Sequence, residues 1–213
     1  MGRQSAVTYA VFGALAAAAL LSLPAGRWSL TLVALGTLAL CLSPLLGARL
    51  AGIRLPRGFV ACLALFLAAT LMMGEFGNLY EHVWWWDVVL HAVSSVGLAL
   101  IGAALALTLT GPARPGQPAT RGTAAVAALL AFGFSVSMGV LWEVFEFALD
   151  SLFGFHTQRS GLPDTMSDMI VNCIGGAAGA AAGYAYLRGG PRGILARTLA
   201  RFVAENRRLY RRR

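Results

Sequence analysis

The stretch WWWDVVLHAVSSVGLALIGAALALTL, residues 84–109, decides the fold. Beyond His91 it carries no charge, and it is long enough to cross the roughly 30 Å hydrocarbon core of a bilayer as a helix. Its opening tryptophans, Trp84, Trp85 and Trp86, stand where an aromatic belt meets the membrane interface. Asp87 precedes His91 by four residues, so at about 100° per residue the two share one helix stripe.

Working outward, five further apolar runs reach the same length, at about 5–23, 28–47, 58–77, 124–149 and 164–187. The chain of 213 residues is 58% hydrophobic and only 12% charged, which excludes an ordinary soluble domain. The expectation is an all-α, six-helix transmembrane bundle over 1–187 with a basic tail over 188–213. Leu23-Pro24-Ala25-Gly26-Arg27, the Arg49–Arg57 segment and the Gly111–Gly122 loop supply the breaks. The first run is long for a signal peptide and Leu-Pro-Ala-Gly is a poor cleavage site, so the reading keeps it as a span. Cys41, Cys62 and Cys173 fall singly inside apolar runs, a spacing that suits small packed side chains rather than a disulfide framework or zinc ribbon.

The net charge of +8 comes from arginine alone, with no lysine. The arginines flank apolar runs, which favours a membrane surface over nucleic acid. With the N-terminus inside, 15 of the 17 arginines fall on the inner side, leaving Arg27 and Arg159 outside. The positive-inside rule therefore predicts a multi-pass membrane protein with N-in and C-in. The tail reads as an amphipathic helix with Pro191 in its first turn. Leu195, Leu199, Phe202 and Val203 share a face between arginines, a pattern that would lie against anionic lipid.

Eight of the nine acidic residues then collect at the outer boundary, six of them at helical spacing. Glu143, Glu146 and Asp150 follow at three and four; Asp164, Asp168 and Asn172 repeat every four. Two carboxylates 5–6 Å apart repel by roughly 3 kcal/mol at an effective dielectric of 20. His91 and Arg159 cannot balance six acids, so either protons are retained or a cation resides there. Asp87, His91, Glu143, Asp164 and Asp168 form an oxygen-rich ligand set with one imidazole, suited to Mg²⁺, Mn²⁺, Ca²⁺ or Zn²⁺. Separate local roles are the plainer alternative. Asp164, after Pro163, has the setting of a helix N-cap, and Asp150 that of a solvated carboxylate. Arg159, alone in its loop, is placed to be solvated, salt-bridged or a clamp for a phosphate. Gly175, Gly179 and Gly183 make a small-residue stripe for close helix packing.

These motifs in order, Asp87-x-x-x-His91, Glu143-Val-Phe-Glu146, Arg159-Ser-Gly161 and Asp168-x-x-x-Asn172-x-x-Gly175, resemble the VanZ-like superfamily of small bacterial membrane proteins. The stretches Trp142-Glu143-Val-Phe-Glu146-Phe and Gly161-Leu-Pro-Asp164-Thr165-Met-Ser-Asp168 are closer still to the YjdF family of uncharacterised inner-membrane proteins. The resemblance covers about residues 75–187 and implies a role at the cell envelope. Glu146, where VanZ-like proteins usually carry Gln, and the longer Arg159-to-Asp164 interval favour the YjdF assignment.

Three functions fit these residues. A metal-assisted hydrolase or transferase would act on a lipid-linked phosphate, with Glu146 as general base and Arg159 gripping the substrate anion. A proton- or cation-coupled transporter or flippase would use the same acids as titrating sites. A non-catalytic scaffold would use an ion to lock the helices together. Transport fits least well, because no ionisable residue lies on the inner halves of the spans.

Overall fold

The computed structural model describes residues 4–112, 117–154, 156–190 and 193–210, and at Glu75 the backbone alone. Arg3, the Glu75 side chain, Arg114, Pro191, Arg192 and the final three arginines, all used above, lie outside the described residues. The chain forms two compact units that divide after Trp86.

The first unit opens with α1, Ala6–Ser22, whose first turn is capped by the Ser5 hydroxyl accepting from the Thr8 amide at 3.1 Å. A tight turn leads to α2, Trp28–Leu50. There the Ser22 and Thr31 hydroxyls meet at 2.6 Å, a buried polar pair that ties the two helices across their connection. Helix α3, Arg57–Leu67, continues as a π-helical stretch, Ala68–Phe76, before the short α4, Leu79–His82. Leu15, Cys41 and Ala64, one from each long helix, make the core.

The second unit is built on α5, Trp86–Thr110, α6, Arg121–Phe153, and α7, Leu162–Gly189. Helix α6 starts where the Thr120 hydroxyl accepts from the Thr123 amide, and stops where Gly154 turns left-handed at φ 70°. The glycine stripe of α7 faces α5. A Cβ on Gly179 would lie 2.5 Å from that of Ala99 and 2.9 Å from the Val96 carbonyl oxygen, so only glycine permits this approach. Below it the helices pack through alanine: Ala103, Ala106, Ala124, Ala127, Ala131 and Ala180 are all buried.

Helix α8, Gly193–Glu205, and the 3₁₀ turn Arg207–Tyr210 complete this unit. The sequence suggested an apolar face laid on lipid. Instead Ala196, Leu199 and Val203 are buried in the core cluster they share with Ala103, Leu107, Ala124 and Leu187, and Arg197 and Arg201 stay exposed. Protein, not bilayer, takes up that face. Leu195 and Phe202 are half-buried beside it. Nearby, the Arg188 guanidinium donates to the Ala119 carbonyl at 2.6 Å, and the Ala119 amide donates to the Leu187 carbonyl. The Tyr210 hydroxyl donates to the Ala104 carbonyl at 3.3 Å. Burial, and secondarily Tyr186, pushes the Tyr210 phenol up to about 12.

No β-strand occurs among the described residues, and five helical segments are long and apolar enough to cross a membrane: α2, Arg57–Gly74, α5, α6 and α7. The remaining expected span, α1, has 17 residues, or about 26 Å of helix, short of a typical hydrocarbon core. Helix α6, with 33 residues and roughly 50 Å, outreaches the core. Cys62 and Cys173 sit on exposed helix faces and only Cys41 is buried, so two of the three are not core residues.

Candidate metal centre

Asp87, Glu143, Glu146, Asp150, Asp164 and Asp168 lie at the end of the second unit where α5 and α7 begin and α6 finishes. Antiparallel packing explains it. Residues near the start of two helices and the finish of the third fall at one level, whatever their distance along the chain.

Asp87 and His91 come together because a four-residue step returns to the same helix face. His91 Nε2 lies 3.6 Å from Asp87 Oδ1 and 3.8 Å from Asp168 Oδ2, which reaches across from α7. One ligand atom from each of the three lies within 4.8 Å of the others. Asp168 is 2% exposed and His91 8%, whereas Asp87 is half-buried toward the surface. A buried carboxylate whose imidazole partner is this far off, with no shorter bond among the described residues, holds the geometry of a ligand more readily than that of a closed ion pair.

Glu143 comes from α6. It is 5% exposed and both carboxylate oxygens lack a hydrogen-bond partner of good geometry among the described residues. The charges of His91, Asp164 and Asp87 act on it, and the Thr165 hydroxyl is the polar group that bears on it most. It stands outside the tight trio but faces the same charges. Glu146, one turn on, is half-buried and feels Glu143, Asp87 and Asp164. Asp168 in turn feels Asp87, Asp164, Glu143 and Glu146. Asp87, Glu143, Glu146, Asp164 and Asp168 thus lie near one another, and Asp150 stands apart from them with the loop that follows α6.

Asp164 does not cap α7. Gly161 holds the N-cap position at φ 67°, Pro163 follows inside the helix, and the Asp164 carboxylate accepts from the Arg159 amide at 3.1 Å. It reaches back to the preceding loop as an acid in a helix first turn can, rather than starting the helix itself. Arg159 is exposed, and its backbone amide ties it to Asp164 in the first turn of α7.

Asp150 is not a loose solvated carboxylate either. It accepts from the Thr157 amide at 2.8 Å, the Thr157 hydroxyl at 2.6 Å and the Gln158 amide at 2.9 Å. Gln158 then donates to the Thr165 hydroxyl at 2.7 Å. Asp150 thus folds the α6–α7 loop over the site, a role for Thr157, Gln158 and Thr165 that no helical period announces. Asp150→Ala is expected to speed hydrogen exchange at the Thr157 and Gln158 amides while leaving the α5–α7 helix interiors protected. Unchanged exchange in the loop would contradict this role.

Beneath the trio lies a polar floor. The Ser95 hydroxyl is 2.6 Å from the His91 carbonyl oxygen and 2.5 Å from Asn172 Oδ1, and the Ser135 hydroxyl donates to the Ser95 carbonyl at 2.8 Å. One serine thus joins all three helices. Asn172 Nδ2 is buried without a partner among the described residues and faces Gly139, where a Cβ would come within 2.6 Å. This hydrogen bonding between helices is not visible in the sequence spacing. The one cavity described in the first unit, lined by residues including Arg27, Trp28 and Phe76, contains none of these groups.

Long apolar helices carrying a buried carboxylate–imidazole cluster define a multi-pass membrane protein with a polar centre near one end of its second unit. The family described as "Predicted membrane protein (DUF2238)" matches residues 6–189, and the chain belongs to it. A Thermotoga maritima protein named "Uncharacterized protein" is 34% identical over 109 residues, 49% of this chain and 50% of the relative. The chain thus matches about half the length of that curated relative. No solved structure matches the chain.

Proposed function

We propose that the centre binds a divalent cation and that the protein is a metal-assisted hydrolase or transferase acting on lipid-linked phosphates at the outer face of the bacterial inner membrane. Asp87, His91 and Asp168 are the protein ligands, with Glu143 and Asp164 contributing negative charge around them. Glu146 serves as general base, and Arg159 at the mouth grips the substrate phosphate. A bound ion would supply polarisation of a phosphoryl oxygen and activation of water. In this reading the chain is of the YjdF type, more distantly VanZ-like, with both termini inside and the exposed arginines of α8 toward anionic lipid.

The observation that carries the proposal is the meeting of Asp87, His91 and Asp168, supplied by two helices, with the buried and unpartnered Glu143 of a third. Transport is the weaker reading for a specific reason. The polar groups stop at Ser95, Ser135 and Asn172, and the buried residues beyond on these helices include Ala99, Ala103, Ala127 and Ala131. Among the described residues the next buried titratable group on these helices is Tyr186, near the far end of α7. A purely structural ion would leave Arg159 and Glu146 without consequence.

The test is phosphate release from polyprenyl and diacylglycerol phosphates by the purified, metal-loaded protein. Glu146→Gln is expected to lower the rate about 10²- to 10⁴-fold, and Arg159→Ala to raise KM more than it lowers kcat. Absence of metal-dependent turnover on every lipid phosphate, with the ion bound, would favour the scaffold instead.

A further inference from the structure

The ligand set is specific enough to select among cations. For bonds of about 2.0–2.2 Å, tetrahedral coordination separates neighbouring ligand atoms by about 1.6 bond lengths, or roughly 3.3–3.6 Å. Octahedral magnesium, at about 2.0–2.1 Å, needs neighbours at roughly 2.8–3.0 Å. His91 Nε2 stands 3.6 Å from Asp87 Oδ1 and 3.8 Å from Asp168 Oδ2, nearer the tetrahedral edge than the magnesium one, and one ligand atom from each of the three lies within 4.8 Å of the others. Calcium would tolerate the spacing, but it takes 6–8 ligands that are all oxygen. Here three side chains converge and one of them is an imidazole, a donor suited to zinc-like ions.

Three protein ligands leave a fourth position open, the pattern of catalytic rather than structural zinc sites. Glu143 is the group that explains what fills it. It lies outside the 4.8 Å cluster, so it is not a fourth ligand of the same cage, yet it is buried and neither oxygen has a hydrogen bond of good geometry among the described residues. A carboxylate in that situation needs a donor, and a water on the ion supplies one.

We infer that the centre is a tetrahedral zinc(II)-class site, with Asp87, His91 and Asp168 as ligands and a water in the fourth position held by Glu143. This rests on the metal-centre reading above and narrows it to one ion class and one coordination number. It also gives Glu143 a role as positioning residue, apart from ligation.

The experiment uses full-length, metal-stripped protein in detergent, titrated separately with Zn²⁺, Mg²⁺ and Ca²⁺, and with Co²⁺ as a visible-absorption probe. One zinc should bind per chain, at least about a hundredfold more tightly than magnesium or calcium. Cobalt should give the intense visible bands of tetrahedral coordination. Glu143→Gln should keep one ion per chain, weaken it by about 10–100-fold, and shift the cobalt bands. The inference is overturned by weak octahedral-type cobalt absorption, by magnesium or calcium binding as tightly as zinc, or by loss of the ion in Glu143→Gln protein that retains its helical circular dichroism. A protein that binds none of the four ions overturns the metal centre altogether, which sets that failure apart from the others.

Discussion

Asp168→Asn is expected to abolish divalent-ion binding by the purified protein while leaving its helices formed. Asp168 is the ligand that α7 brings to the pair on α5, and at 2% exposure water has little room to substitute for it. The amide is nearly isosteric, so packing is preserved, but it removes an anionic donor from a three-ligand site. The loss should therefore exceed the roughly 10–100-fold typical of residues that only support a ligand. Metal analysis of the purified variant beside wild type is the measurement. The same substitution at Asp150 is the control, because that carboxylate is occupied by Thr157 and Gln158. Full ion occupancy in Asp168→Asn protein would remove Asp168 from the ligand set.

The second large effect is expected far from any charge. Gly179→Leu should prevent recovery of folded protein, because its Cβ alone would meet the Ala99 methyl and the Val96 backbone. Overpacking of this kind typically costs about 1–3 kcal/mol even for modest additions. Gly179→Ala is the graded version. Alanine would gain about 1 kcal/mol of helix propensity over glycine, yet the steric clash should outweigh it and leave the variant less stable. Gly133→Ala on α6, where nothing lies within 4 Å of the added methyl, should lose nothing. Thermal unfolding in detergent compares them. Equal stability of Gly179→Ala and Gly133→Ala would mean that α5 and α7 are not held at this distance.

Much of this was legible from spacing alone. A helix forces residues four apart onto one face, so Asp87 and His91 had to be neighbours, and Asp168 and Asn172 had to share a stripe. The level at which the acids meet also followed, since uncharged runs of span length leave little freedom in where their charged ends fall. Loop chemistry was different. Whether Asp164 caps a helix or ties back a loop depends on where α7 begins, and a left-handed Gly161 moved that start upstream. Asp150 looked solvated because its partners, Thr157 and Gln158, sit in a segment without period. The tail misled in another way. Amphipathic pattern says that a face will be covered, not whether lipid or protein covers it, and here protein does. Length bears on α1 similarly, since its 17 residues lie at the lower end of the lengths that span a bilayer.

The burial of α8 bears on how the molecule is made. Ala196, Leu199 and Val203 contribute to a core they share with residues of α5, α6 and α7. They follow α5, α6 and α7 in the chain, so they are synthesised after all three. The second unit cannot close its interior until α8 has emerged, even when its long helices have already entered the bilayer. A chain stalled or clipped before Ala196 would therefore be inserted with that interior unfinished.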